Sequence, residues 1–210
     1  MSSDIQSTFI EAAAIDADGI SVAASVGNNA NLVLGGALTS GGAVTFDEPR
    51  NITILSAGND SSKSFTVTGT DEQGDSVTES ITGANAGTAT GSTFFTTISQ
   101  IAAVGNPAGN VSAGSGASIA SPIFRGRLRL RGLYAVNTGT AGTITFREGS
   151  GTGTIRMQFN TVASANTTQY PDVPDDGILF VDGGYVTYCV ADLCPLGTRR
   201  TLGLLNLARV

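Results

Sequence analysis

The sequence predicts an all-β protein: two small antiparallel domains of β-sandwich or jelly-roll type behind a short N-terminal arm or helix. Three observations carry that expectation. Short runs rich in Val, Ile, Thr and Phe recur along the chain, each bounded by Gly, Asn, Asp or Ser. Several of these runs alternate apolar with polar residues, which is the period of a half-buried strand. A charge-free stretch rich in Gly, Ser and Ala divides the chain near its middle.

The only helix-like stretch is Asp4 to Ala17, where Thr8–Ile15 offers about two turns before Asp18-Gly19 ends them. It is read as an arm or short helix over residues 1–19. Strands are expected at Ile20–Val26, Asn31–Leu38, Ala43–Phe46, Asn51–Ser56, Lys63–Thr70, Ser76–Thr82 and Ser92–Val104. In the fifth and sixth of these, Phe65, Val67, Val77 and Ile81 are assigned to the buried face, with Thr and Glu assigned to water. Thr70–Asp75 reads as a hairpin loop in which Gly74 supplies a positive φ, and Gly58-Asn59-Asp60-Ser61 reads as a second turn. This pattern defines an acidic, immunoglobulin-like domain over residues 20–118.

Gly105 to Pro122 is the linker candidate, with the boundary placed near Ser118. Residues 119–210 form the second expected domain, whose first strand is rich in arginine. Further strands are expected at Gly142–Glu148, Thr154–Asn160, Gly177–Val181, Tyr185–Val190 and Arg199–Asn206. Turns fall at Asn137-Thr138-Gly139, Gly149-Ser150-Gly151 and Asp182-Gly183-Gly184, and Tyr170–Gly177 reads as a stiff acidic loop.

Charged residues make up only 13% of the chain, against roughly 25% in an average globular protein, so part of the surface is expected to be covered by partners. The charge is also unevenly spread. Residues 1–120 hold two basic and eleven acidic residues, whereas residues 121–210 hold nine basic and six acidic. A strongly acidic first half argues against a nucleic-acid coat, because phosphates would repel it. No apolar run approaches the ~18 residues of a membrane span. The start of the chain has neither the basic nor the apolar region of a secretory signal, so folding in a cytoplasm is expected. In that compartment Cys189 and Cys194 are read as free thiols, with a small loop disulfide as the alternative.

The residue set argues against catalysis. The chain has no His, so Ser-His-Asp and Cys-His pairs are excluded. Asp175-Asp176 reads as a pair of solvated turn carboxylates, and the Asp172/Asp175/Asp176 loop matches no calcium-binding spacing. Gly35-Gly36 and Gly41-Gly42 lack the Lys-Ser/Thr of a phosphate cradle and read as turns. No enzymatic activity, cofactor or metal is expected.

The sharpest signal is Arg125, Arg127, Arg129 and Arg131, which recur at period two. In a strand they share one face, with Leu128 and Leu130 on the other. Four like charges on one face repel each other. They serve as charge protection of an edge strand, as a docking strip for an acidic surface on a neighbouring protein or on the acidic first domain of an adjacent copy, or as a contact with nucleic acid. Arginine at every position favours forked contacts with carboxylates.

Two stretches resemble known β modules. Arg50–Ile54, Gly58–Ser61, Phe65–Asp71 and Thr78–Thr88 resemble a recurrent module of tailed-phage virion proteins. Gly132–Tyr134, Gly139–Ile144, Gly149–Gly151, Gly177–Phe180 and Tyr185–Thr187 resemble small phage structural proteins. The resemblance covers roughly residues 45–190 and implies a virion component assembled in the host cytoplasm. The foremost function it implies is that of a capsid decoration or cement protein. Such a protein would bind the major capsid protein or other virion proteins as a homo-oligomer, with a trimer favoured. A tail, neck or fibre accessory protein and a cell-surface adhesin or glycan-binding module are the alternatives.

Overall fold

The computed structural model describes residues 5–6, 10–12, 15–124, 126–133, 135–138, 141–162, 165–190, 200–202 and 205–209. The protein is all-β with antiparallel pairing, and no helix occurs among the described residues. The strands in chain order are β1 (Ile5–Gln6), β2 (Ile10–Ala12), β3 (Asp16–Ser25), β4 (Thr39–Ser40), β5 (Ala43–Ser56) and β6 (Ser64–Thr70). There follow β7 (Ser76–Thr82), β8 (Thr88–Thr90), β9 (Phe95–Val104), β10 (Asn110–Phe124), β11 (Leu128–Leu133), β12 (Ala135–Thr138) and β13 (Gly142–Glu148). The last are β14 (Ile155–Thr161), β15 (Ala165–Gln169), β16 (Ile178–Phe180), β17 (Gly184–Val190), β18 (Arg200–Leu202) and β19 (Leu205–Arg209). The expected N-terminal helix is corrected: β1, β2 and the start of β3 occupy its described residues.

Contacts divide the chain into two compact units, Ile15–Gly116 and Met1–Ala14 with Ala117–Val210. In the first, β5, β9, β6 and β7 are neighbours in that order, and β3 pairs with β10. The core gathers Ile20, Ile52, Ile54, Phe65, Val67, Phe95, Ile98 and Ile101, all fully buried. The β6–β7 hairpin pairs Phe65 with Ile81 and Thr70 with Ser76, and Gly74 in its loop has φ 84°. Glu79 departs from expectation. Residues two apart in a strand share a face, so it lies on the side of Val77 and Ile81. Its carboxylate reaches the 92–93 turn, accepting from Ser92 N at 2.6 Å and Thr93 N at 3.2 Å. Those bonds hold Ser92 and Thr93 out of β9, which starts only at Phe95.

Three strand assignments change for physical reasons. Ala43–Phe46 and Asn51–Ser56 are one strand, β5, whose ladder to β9 shifts register between Thr45 and Arg50. Pro49 lies in that irregular stretch, where a residue without an N–H does least harm to the ladder. Asn31–Leu38 is not a strand beyond a single bridge at Asn31. Instead, Leu32 plugs the core while Gly35 N and Gly36 N donate to Ile20 O. A Cβ on Gly36 would run into the Gly19 backbone, so this close crossing requires glycine.

The expected linker is the largest correction, because most of it is β10. Its residues Val111 to Gly116 are all buried. Asn110–Ser115 pair with β3, and Ile119–Phe124 pair with β17. The small residues are there for packing: a Cβ on Gly114 would meet the Asp16 carbonyl, and one on Gly116 would meet the Asn51 amide. Ser115 Oγ accepts from the buried Arg50 guanidinium at 3.0 Å.

In the second unit β14, β13 and β17 are neighbours, and β17 pairs with the end of β10. A separate four-stranded sheet has the order β1, β19, β11, β16. The core joins Ile119, Leu128, Leu130, Phe146, Phe180 and Val186. The C-terminal run returns as β19, which pairs with β11. The expected turn at Asn137-Thr138-Gly139 is corrected: Asn137 and Thr138 belong to β12 and pair with β15. Gly139, the side chain of Cys189, and Cys194 altogether lie outside the described residues.

Glu148 ties this unit together. Its carboxylate accepts from Val181 N at 2.7 Å and pairs with Arg156 across the β13–β14 ladder. The Val181 hydrogen bond first, and then Arg156, hold the Glu148 carboxyl below its usual value. A folded-state value below the unfolded one stabilises above the ordinary carboxylate range, and the effect is lost as pH falls through the folded value. The Val181 amide resonance is therefore expected to titrate with a midpoint below the ordinary carboxylate value, and Glu148→Gln is expected to abolish that titration. A midpoint at or above the ordinary value would contradict the assignment.

Candidate functional site

The arginine run begins as the chain leaves β10. Gly126, at φ 83°, turns it into β11. Leu128 and Leu130 point into the core with 4% and 0% exposure, which fixes the opposite face for Arg129 and Arg131. Arg131 is exposed and Arg129 half-buried. Arg127 lies in the bend before the strand and is exposed. Arg125 lies outside the described residues.

β11 is not an edge. It pairs with β16 through Leu128–Leu130 and with β19 on its other side. Protection of an exposed strand edge is therefore overturned as the reason for the arginines, since no backbone edge needs shielding there. Part of the reason is local. Arg129 NH1 donates to Asp176 O at 2.8 Å, and Arg131 NH1 donates to Asp175 O at 3.0 Å. Gly177, at φ 72°, lets the loop lie flat on the strand; a Cβ there would come within 2.7 Å of Leu130 O. Gly177 N closes the turn on Pro174 O.

Two arginines thus clamp the backbone of the acidic loop and leave its carboxylates outside, with Asp172, Asp175 and Asp176 all exposed. Among the described residues, no ion pair joins Arg127, Arg129 or Arg131 to this loop, whereas Arg156 pairs with Glu148 elsewhere in the unit. Each clamping guanidinium still has N–H groups beyond the one it uses, because arginine carries five. Arg127 has no hydrogen bond or ion pair among the described residues. Arg129 and Arg131 stand on a strand whose leucines are buried in the core, with Arg127 in the bend before it.

No group of three or more His, Cys, Asp or Glu suited to a metal occurs among the described residues. A shallow groove of about 290 Å³ in the first unit is lined by Ala23, Leu55, Ser56, Ala57, Ala86, Asn110 and Ser112, without a titratable side chain. Two buried ionic groups escape sequence reasoning. Arg50 is 4% exposed, and burial pulls its guanidinium below the usual value. Asp60 is fully buried and accepts from Ala108 N at 2.7 Å, tying two turns together. Both serve packing within one unit. For Arg50 a lone charge inside a β-rich run is the available signal, and for Asp60 a turn aspartate; neither distinguishes buried from exposed.

Comparison with known proteins returns nothing: no family model, no curated protein and no solved structure matches this chain.

Proposed function

We propose that the chain is a non-enzymatic structural component of a tailed-phage particle, most specifically a capsid decoration protein that stabilises contacts between coat subunits. The observation that carries this reading is the set of arginines at β11, with Arg127 in the bend before the strand and Arg129 and Arg131 on it. β11 is an interior strand, seated in the core by Leu128 and Leu130. Like charges side by side cost a free molecule stability; the Asp175 and Asp176 carbonyls answer Arg131 and Arg129 in part, and an acidic partner relieves the rest. The low charge content and the likeness of residues 45–190 to phage β modules support the same reading. Many copies acting together need only modest area per contact, of order 1,000 Å².

Arg127→Glu is the clean test, because this side chain clamps no loop. The variant is expected to keep the wild-type circular dichroism and melting temperature. Its binding to emptied phage heads in a co-sedimentation assay is expected to weaken by tenfold or more, equivalent to about 1.4 kcal/mol. Unchanged binding would contradict the role of the strip.

A further inference from the structure

The acidic residues of the Ile15–Gly116 unit are not scattered. Nine acidic residues face two basic ones there, and one of those two, Arg50, is buried. Strand register places five carboxylates just past one row of paired residues, where β6 and β7 end and β5 runs on. Thr45 pairs with Thr97, Thr97 with Thr70, and Thr70 with Ser76, forming one row across four strands. Asp47 and Glu48 follow Thr45, while Asp71, Glu72 and Asp75 close the hairpin between Thr70 and Ser76. Asp47 and Asp75 are exposed and the other three half-buried. Lys63 lies beyond the opposite end of β6, where Ser64 pairs with Val104. The acidic end therefore has no exposed cation of its own among the described residues of this unit.

We propose that the arginine strip of one molecule docks on this acidic end of a second copy of the chain. This rests on the strip being a contact surface, and it names the neighbour. Charge complementarity argues for it: Arg127 and Arg131 are exposed cations, and Asp47 and Asp75 are exposed carboxylates. Dimensions agree as well. Arg127 to Arg131 spans at most about 13 Å of extended chain, and β5 to β7 spans three strand spacings, about 14 Å. The two surfaces differ, so the contact is head-to-tail: it gives a closed ring where the rotation between copies closes and an open chain of copies where it does not.

Charge exchange tests it in the full chain. Analytical ultracentrifugation at 50 mM salt is expected to show wild-type oligomers of the 21.2 kDa chain. Raising salt to 500 mM is expected to weaken association about tenfold or more. Arg127→Glu alone, and Asp47→Arg with Asp75→Arg alone, are each expected to be monomeric. Mixing the two variants is expected to restore oligomers, because each then offers the other a complementary surface. Restoration also shows that both variants are folded. Three outcomes would overturn the proposal: a wild-type monomer at all salts, association surviving in either variant, or no restoration on mixing variants with wild-type circular dichroism. A wild-type monomer that still binds phage heads in an Arg127-dependent way would sink this inference and leave the particle role standing.

Discussion

Replacing Gly114 with valine is expected to destabilise the Ile15–Gly116 unit by about 3 kcal/mol or more, at the upper end of overpacking costs. Most overpacked sites relax by moving a side chain. Gly114 has no such outlet, because a Cβ there meets the Asp16 carbonyl and the backbone of Ala17. β3 would have to leave β10, breaking a ladder that already shifts register on both sides of Ala113. Urea unfolding measures the effect, with Gly27→Ala as the control. The nearest atom to a Cβ on Gly27 is Ala30 Cβ at 3.7 Å, so that change is expected to be nearly neutral. Equal, small effects at both positions would mean that β10 is the loose connector its composition suggests.

Phe146→Ala is expected to cost about 3–5 kcal/mol in the second unit. Phe146 is fully buried on β13, which pairs with both β14 and β17. It belongs to the same core cluster as Leu128, Leu130, Phe180 and Val186. The cavity therefore opens in the core that anchors β11, and the arginine strip is expected to lose order along with stability. Calorimetry reads the first effect. Binding to phage heads reads the second, which is expected to fall in Phe146→Ala near its lowered melting temperature and to hold well below it. A melting temperature within about 2 °C of wild type would contradict the central place of Phe146 in this core.

Much of the β architecture is legible in the residues, and the failures have identifiable causes. Ser76–Thr82 and Gly142–Glu148 are strands with the expected bounds, because alternation there is uninterrupted. β5 reads as two strands because Pro49 breaks the pattern, although a local irregularity absorbs the proline. β10 reads as a linker because Gly, Ser and Ala are common both in flexible chain and where backbones and polar side chains crowd a strand. Only the neighbours, Asp16, Asn51 and Arg50, separate the two cases, and they are distant in sequence. The shared face of Arg129 and Arg131 follows from period two and the buried leucines. Their bonds to Asp175 O and Asp176 O do not, because a contact across more than forty residues leaves no local trace. The position of β11 inside its sheet depends on β16 and β19, which also lie far along the chain.

Electron microscopy of gold-labelled protein added to intact tailed-phage particles tests the structural role most directly. Regular decoration of the head surface, lost with Arg127→Glu, is the expected result. Particles bare of label, with the wild-type protein folded and in excess, would contradict it.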